Sequence, residues 1–364
     1  MIYLDHAAAT KINPIALEAI KTAPYANPHS IHIQGLEAAS HIKESEDLVK
    51  DCINGHKGKF VWLSSASLAN YFVIDTHANK DPDSFLYEQT AHKSISGYGR
   101  RYKSIQSNTS GLISFPNLDL HLTENTKLVS VLYVNNETGI KQIGISQLKK
   151  KIKNAYLHVD AVQAAGKIQV DVEELACDYL TMSGHKFGTP KGIACLWVRE
   201  GAPLKIPYLG TPPVPMISAF AKTLDSINLK KVQLKLKEKE SIFLKQLEHC
   251  ASLNNVEFDY NTKSICKVNG ILSINFKGVD ASELFLALSS QGVAVSTGSA
   301  CNSKQITPSR VLMAMKVPQK DVLSTIRISF AYASCNADLD EGIFRLIETI
   351  KELLNNGSEP PEDN

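Results

Sequence analysis

At 364 residues the chain is long enough for one large and one smaller folding unit and short for three. Hydrophobic residues make up 43%, charged residues 21%, and the formal net charge is +2, which excludes a disordered polyelectrolyte and a nucleic-acid footprint and favours a small-molecule partner. Seven cysteines are scattered and never spaced C-x-x-C, which argues against a disulfide framework and a zinc site and leaves reduced thiols, one of them a candidate for reactivity.

The opening Met1-Ile-Tyr-Leu-Asp5-His-Ala-Ala-Ala-Thr10 reads as a short strand into a turn, with no basic region leading an apolar stretch and no small-residue cleavage site. No run approaches the ~18 apolar residues of a membrane span. A soluble cytoplasmic protein with no membrane or nucleic-acid partner is expected. From about residue 36 to residue 200, short apolar runs alternate with amphipathic stretches. The runs are Lys59-Phe-Val-Trp-Leu63, Leu128-Val-Ser-Val-Leu-Tyr-Val134, Tyr156-Leu-His-Val159 and Ile193-Ala-Cys-Leu-Trp-Val198. This pattern predicts an α/β fold with a mostly parallel sheet covered on both faces, and it places Asn135-Asn136-Glu137 and Asp160 at carboxyl ends of strands, where such sheets bind ligands.

Asp160 closes an apolar strand, where a carboxylate is costly unless paired. A cofactor ring nitrogen would pair with it; a helix N-cap is the plainer alternative. The loop Thr181-Met-Ser-Gly-His-Lys186-Phe-Gly-Thr-Pro-Lys-Gly192 packs small residues, a histidine and a lysine between two apolar runs. A desolvated lysine there can bind a carbonyl covalently, with Ser183 and His185 beside it for an anionic group; taken alone, the loop is equally an ordinary turn. Leu229, Val232, Leu236, Phe243 and Leu247 recur at helical steps within 216–250 and read as one long connecting helix, whose lysines alternate with glutamates on a solvated face. Beyond it, Gly270–Phe276, Gly292–Ser296 and Thr325–Phe330 read as strands and Ala281–Leu288 as a helix of a smaller α+β domain. The expected organisation is a large domain over 15–215, a small domain from 1–14 and 225–354, and a flexible polar tail over 355–364.

The strand-Asp-x-x-Gln pattern of Asp160 and Gln163, followed by Ser183-Gly-His-Lys186, resembles the fold-type I pyridoxal-phosphate (PLP) enzymes of the class V aminotransferase superfamily. The likeness runs nearly end to end, through Tyr3–Thr10, Asn27-Pro-His-Ser30, Ala91-His92-Lys93 and Val134-Asn-Asn-Glu-Thr-Gly139. Ser296-Thr-Gly-Ser-Ala-Cys301-Asn-Ser303 is similar to the cysteine loop of the group I cysteine desulfurases. The resemblance implies a fold-type I architecture and a homodimer. It implies that Lys186 carries PLP, that Asp160 meets the ring nitrogen, that Gln163 meets the ring hydroxyl, and that His92 stacks on the ring and moves protons. It further implies that Ser183, His185, Ser65 or Ser67, and Thr211 from across a dimer interface hold the phosphate, and that Asn136 lies near cofactor and substrate. Arg327 is implied to bind the substrate carboxylate, and Asn27 joins the substrate-binding set. Cys301 would attack the sulfur of L-cysteine and pass it to an acceptor or scaffold protein, as in iron–sulfur cluster assembly, leaving L-alanine.

Two segments depart from the family. Leu63-Ser-Ser-Ala-Ser67-Leu-Ala-Asn70 stands where the family has Ser-Gly-Ala-Thr-Glu-Ser, losing a glycine and an acidic residue. Leu204–Leu209 replaces a longer stretch with two arginines. The departures keep two alternatives open: another PLP-dependent lyase such as selenocysteine lyase, and a degenerate, non-catalytic homologue serving as a binding or assembly subunit.

Overall fold

The computed structural model describes residues 1–99, 101–262, 266–298 and 308–357. Strand β1 (Ile2–Tyr3) opens the chain. The large sheet contains β2 (Gly58–Leu63), β3 (Phe85–Glu88), β4 (Lys103–Ile105), β5 (Leu128–Leu132), β6 (Tyr156–Asp160), β7 (Tyr179–Ser183) and β8 (Ala194–Arg199), in the order β2-β8-β7-β6-β5-β3-β4. Strands β3 to β7 are parallel, and β8 is antiparallel to both β7 and β2, so β2 regains the common direction. The carboxyl ends of β2, β3, β5, β6 and β7 therefore open on one edge.

Both faces of this sheet are covered, which is why its central strands read as continuous apolar runs. Val129 and Val131 join one core with Ile217 and Phe220, while Leu128 and Leu132 join a second with Phe72 and Val73. A third core belongs to the smaller unit, whose sheet has the order β12-β13-β10-β9 and is built from β9 (Phe258–Tyr260), β10 (Ile271–Phe276), β12 (Ser296–Thr297) and β13 (Thr325–Ser329), all antiparallel. The two-residue β11 (Val293–Ala294) pairs with β1, which brings Ile2 and Leu4 into that core.

The connector expected as one helix over 216–250 is two helices, Val214–Asp225 and Leu229–Leu253. Asn228 starts the second in extended backbone, its side-chain oxygen accepting from Lys231 N–H at 3.0 Å. The apolar spacing continues across the break because each helix faces a different core, Phe220 and Leu224 one and Val232 and Leu236 the other. The single strand expected over Gly292–Ser296 is likewise divided, β11 pairing with β1 and β12 with β13. The run to Val134 leaves the sheet at Leu132, and β3, β4, β7 and β9 are strands that the apolar runs did not mark. The last helix ends at Asn355, and most of the expected tail, 358–364, lies outside the described residues. Among the described residues no helix is long and apolar enough to cross a membrane.

Candidate active site

Register sets the floor of the site. Leu132 and Asp160, the last residues of β5 and β6, stand abreast of Thr181, two residues before the end of β7, while Leu63 and Ser183 both lie opposite Ala194 of the strand between them. The turns after β2 and β7 are thus level and two strand spacings apart, roughly 10 Å.

Asp160 is 3% exposed and its partners are neutral: Val162 N–H donates to Oδ1 at 3.0 Å and the Asn70 amide donates to Oδ2 at 3.0 Å. Burial pushes its carboxyl above the usual carboxylate range, against the opposing pull of His92, these two donors and Lys186. The same Asn70 nitrogen donates to Ser94 Oγ at 2.9 Å, and Ser94 Oγ lies 2.9 Å from His92 Nδ1. Since Ser94 accepts from Asn70, its own hydrogen goes to Nδ1, which also accepts from Ser94 N–H at 3.2 Å. A neutral His92 then carries its hydrogen on Nε2. His92 keeps solvent-exposed surface, yet desolvation by the surrounding protein lowers its proton affinity more than any single charge does.

After β7 the chain turns at Gly184, where an added Cβ would lie 1.8 Å from Thr189 Oγ1, so only glycine lets the turn close. The turn presents Lys186, whose Nζ donates to the carbonyls of Ala7 and Ala8 at 2.7 and 2.9 Å. The Gln163 amide donates to the same Ala7 carbonyl at 2.7 Å, and Lys167 donates to Gln163 Oε1 at 3.3 Å. Ser183 Oγ lies 3.0 Å from His185 Nδ1. Burial, then Lys186, Lys191 and Lys167, pull the His185 imidazole down to about 4. Repulsion from three lysines marks an electropositive spot.

The opposite wall comes from the smaller unit and the N-terminal segment. Arg327 on β13 donates to Asp5 Oδ1 at 2.6 Å and to the Asn136 carbonyl at 2.9 Å, and among the described residues its buried Nε has no partner. Asn135 knits the loop, its Oδ1 accepting from Glu137 N–H, Thr138 N–H and the Thr138 hydroxyl while its Nδ2 donates to Thr90 O. Ser65 caps the helix Ala66–His77 by accepting from Leu68 N–H at 3.2 Å, and Ser67 is exposed on its first turn. Two expected residues stand apart: Asn27 is exposed, its side-chain oxygen accepting from His29 N–H, and Thr211 is exposed beyond the large sheet. Cys301 lies outside the described residues.

The residues present fit PLP. A buried carboxylate whose direct hydrogen-bond donors among the described residues are a backbone N–H and the Asn70 amide suits a protonated ring nitrogen, and the Ser183–His185 turn amid three lysines suits a phosphate. The orphaned Arg327 Nε–H suits a substrate carboxylate. Sequence reasoning missed Asn70, Ser94, Lys167, Arg310 and the buried Glu88, which accepts from Thr90, Leu132 N–H and Gln142. Only Ser94, two residues after His92, carried a local signal, that of a capped helix start.

The aminotransferase class-V family model matches residues 2–209 and 201–341. Over 381 residues the chain is 30% identical to a cysteine desulfurase of Nostoc sp. (strain PCC 7120 / SAG 25.82 / UTEX 2576), spanning 97% of this chain and 93% of that protein. It is 28% identical to cysteine desulfurase IscS 1 of Archaeoglobus fulgidus, spanning 97% of each. Among solved structures, a NifS-like protein superposes with a TM-score of 0.84 at 26% identity over 98% of this chain and 99% of that one. A NifS-like protein from Rickettsia africae ESF-5 gives the same values, TM-score 0.84 at 26% identity over 98% and 99%.

Proposed function

This chain belongs to the aminotransferase class-V family, and we propose that within it the chain works as a PLP-dependent cysteine desulfurase, converting L-cysteine to L-alanine and passing the sulfur to an acceptor protein. The observation that carries this reading is the buried Asp160 carboxylate beside the Lys186 turn, at adjacent strand ends of a chain alignable with curated cysteine desulfurases over 97% of its length.

When bound, PLP supplies a carbonyl for a lysine amine and a ring that takes up electron density from the substrate α-carbon. Lys186 would hold it through its amine, and the same amine would take up the substrate α-proton. Asp160 would keep the ring nitrogen protonated, Gln163 would adjoin the ring hydroxyl, and Ser183, His185 and the Ser65–Ser67 helix start would hold the phosphate. His92, with Nδ1 tied to Ser94, moves protons at Nε2. Arg327 receives the substrate carboxylate on its unpartnered Nε–H with Asp5 steadying the guanidinium, and Asn136 adjoins it. Cys301 as thiolate attacks the substrate sulfur: an S–S bond forms, the substrate C–S bond breaks, and the carbon takes up a proton to become alanine. Cysteine plus the enzyme thiol thereby yields alanine plus the enzyme persulfide, with no external oxidant.

The active unit is a homodimer in the cytoplasm, serving iron–sulfur cluster assembly. Tyr25, Ile31, Ile33 and Leu36, at 95%, 93%, 71% and 59% exposure, crowd the segment that also holds Asn27, and the exposed Tyr208 and Leu209 shortly precede Thr211; burying these faces against a second copy would carry Asn27 and Thr211 to the neighbouring site. The test is product balance on PLP-supplied protein. Alanine and persulfide sulfur should appear in equal amounts, and Cys301→Ala should retain the bound cofactor while sulfur transfer collapses. Cofactor binding with no alanine would reject the desulfurase reading, and selective turnover of selenocysteine would replace it with the lyase.

A further inference from the structure

Ser309 and Arg310 belong to a short helix start near the smaller unit, yet both side chains reach the loops of the large sheet. Ser309 Oγ donates to Glu137 Oε2 at 2.5 Å, next to Asn136. Arg310 Nη1 donates to the Gln89 carbonyl and Nη2 to the Ala91 carbonyl, each at 2.5 Å. The carbonyl between them, Thr90 O, accepts from Asn135 Nδ2 at 3.2 Å. Three successive carbonyls leading into His92 are therefore held by side chains, two of them by one rigid fork. A buried or half-buried carbonyl without a donor is costly, and a planar guanidinium satisfies a pair in fixed geometry where an ammonium does not.

We propose that Arg310 is a positioning residue for His92, its fork fixing the carbonyls on either side of Thr90 and with them the backbone from which the imidazole projects. Ser309 and Glu137 seat the helix start that presents the fork, so the position of His92 depends on the seam between the two units. The catalytic consequence rests on the proton-moving role given to His92 above; the positioning itself does not. Beyond geometry, the charges that bear on His92 are Asp160, which favours its protonated form, and Lys186, Arg310 and Lys93, which disfavour it.

The experiment is a pH titration of histidine ring signals by NMR on ring-labelled holoenzyme, with the His92 signal assigned by its loss in His92→Gln. Arg310→Met should displace the His92 signal and raise its midpoint by on the order of half a pH unit. Arg310→Lys, which keeps the charge and the fold but not the fork, should hold the midpoint near wild type yet still displace the signal and lower kcat roughly tenfold with KM changed less than about threefold. If the His92 signal and midpoint are unchanged in both variants while only thermal stability falls, Arg310 is a plain structural tie and the proposal is overturned. If the signal moves but kcat and its pH profile do not, the positioning stands and the role of His92 in the reaction falls instead.

Discussion

Around Asp160 and Ser183 the site is knit by hydrogen bonds from neutral groups inside a finished sheet, whereas around Arg327 and Arg310 it is knit by cations that reach from β13 and from the short helix start to the N-terminal segment and the loops of the large sheet. The floor is set by strand register: once β6 and β7 pair, Asp160 and the Lys186 turn have no freedom to move apart. The wall depends on how the smaller unit sits against the large sheet, and its cations are already occupied by Asp5 and by backbone carbonyls. A rigid floor suits a resident cofactor, and a wall of shared charges suits a substrate that must enter and leave.

Substitutions can separate the two. Breaking the floor should have the largest effect: Lys186→Ala should remove the visible absorption of the lysine-bound cofactor and lower alanine formation by ~10³-fold or more. Breaking the wall should spare the cofactor. Arg327→Lys, which loses the fork but keeps the charge, should leave the absorption intact and raise KM for cysteine roughly thirtyfold to a hundredfold. Asp5→Asn should be milder, raising KM by about threefold to tenfold, because the guanidinium loses an orienting partner and keeps the Asn136 carbonyl. A wild-type KM in Asp5→Asn would show that Arg327 is held by its packing alone.

The smallest expected effect concerns stability and sharpens the contrast through pH. His158 lies fully buried beneath the floor between Ser130 and Thr181, and burial lowers its imidazole to about 3; His6 and His185 are lowered to about 4. Their folded forms bind protons more weakly than the unfolded chain, whose histidines titrate near 6.5, so they contribute stability above that value that is lost as pH falls toward 4 and below. Apoprotein melting should drop by at least a few degrees from pH 6.5 to 4, and His158→Asn should flatten the drop. Asp160 acts with the opposite sign, its raised carboxyl making the apoprotein less stable as pH rises through the range just above the usual carboxylate value.

The same contrast governs what was legible in the sequence. The floor was readable because Asp160, Gln163, Ser183, His185 and Lys186 sit in two short motifs at the ends of adjacent strands. The strand β7 between them was not, since Tyr179 and Thr181 bury polar groups whose partners, His77 and His158, are distant in sequence. The wall was readable only as one arginine: Asp5 is 322 residues from Arg327, and the partners of Arg310 are carbonyls some 220 residues away, which no side-chain pattern announces. Asn70 ends the altered segment after β2, on the helix Ala66–His77, but nothing local marks it, and its use as a bridge from Asp160 to Ser94 follows from the fold alone. The helix break at Asn228 was hidden because apolar spacing records that a face is buried, not which core buries it.

The most direct test of the site is borohydride trapping on the full chain supplied with PLP, followed by peptide mass analysis. The cofactor mass should be fixed on the peptide containing Lys186, and prior addition of L-cysteine should protect that lysine and release L-alanine. Trapping on another lysine, or on none, would contradict an active site built at the ends of β6 and β7.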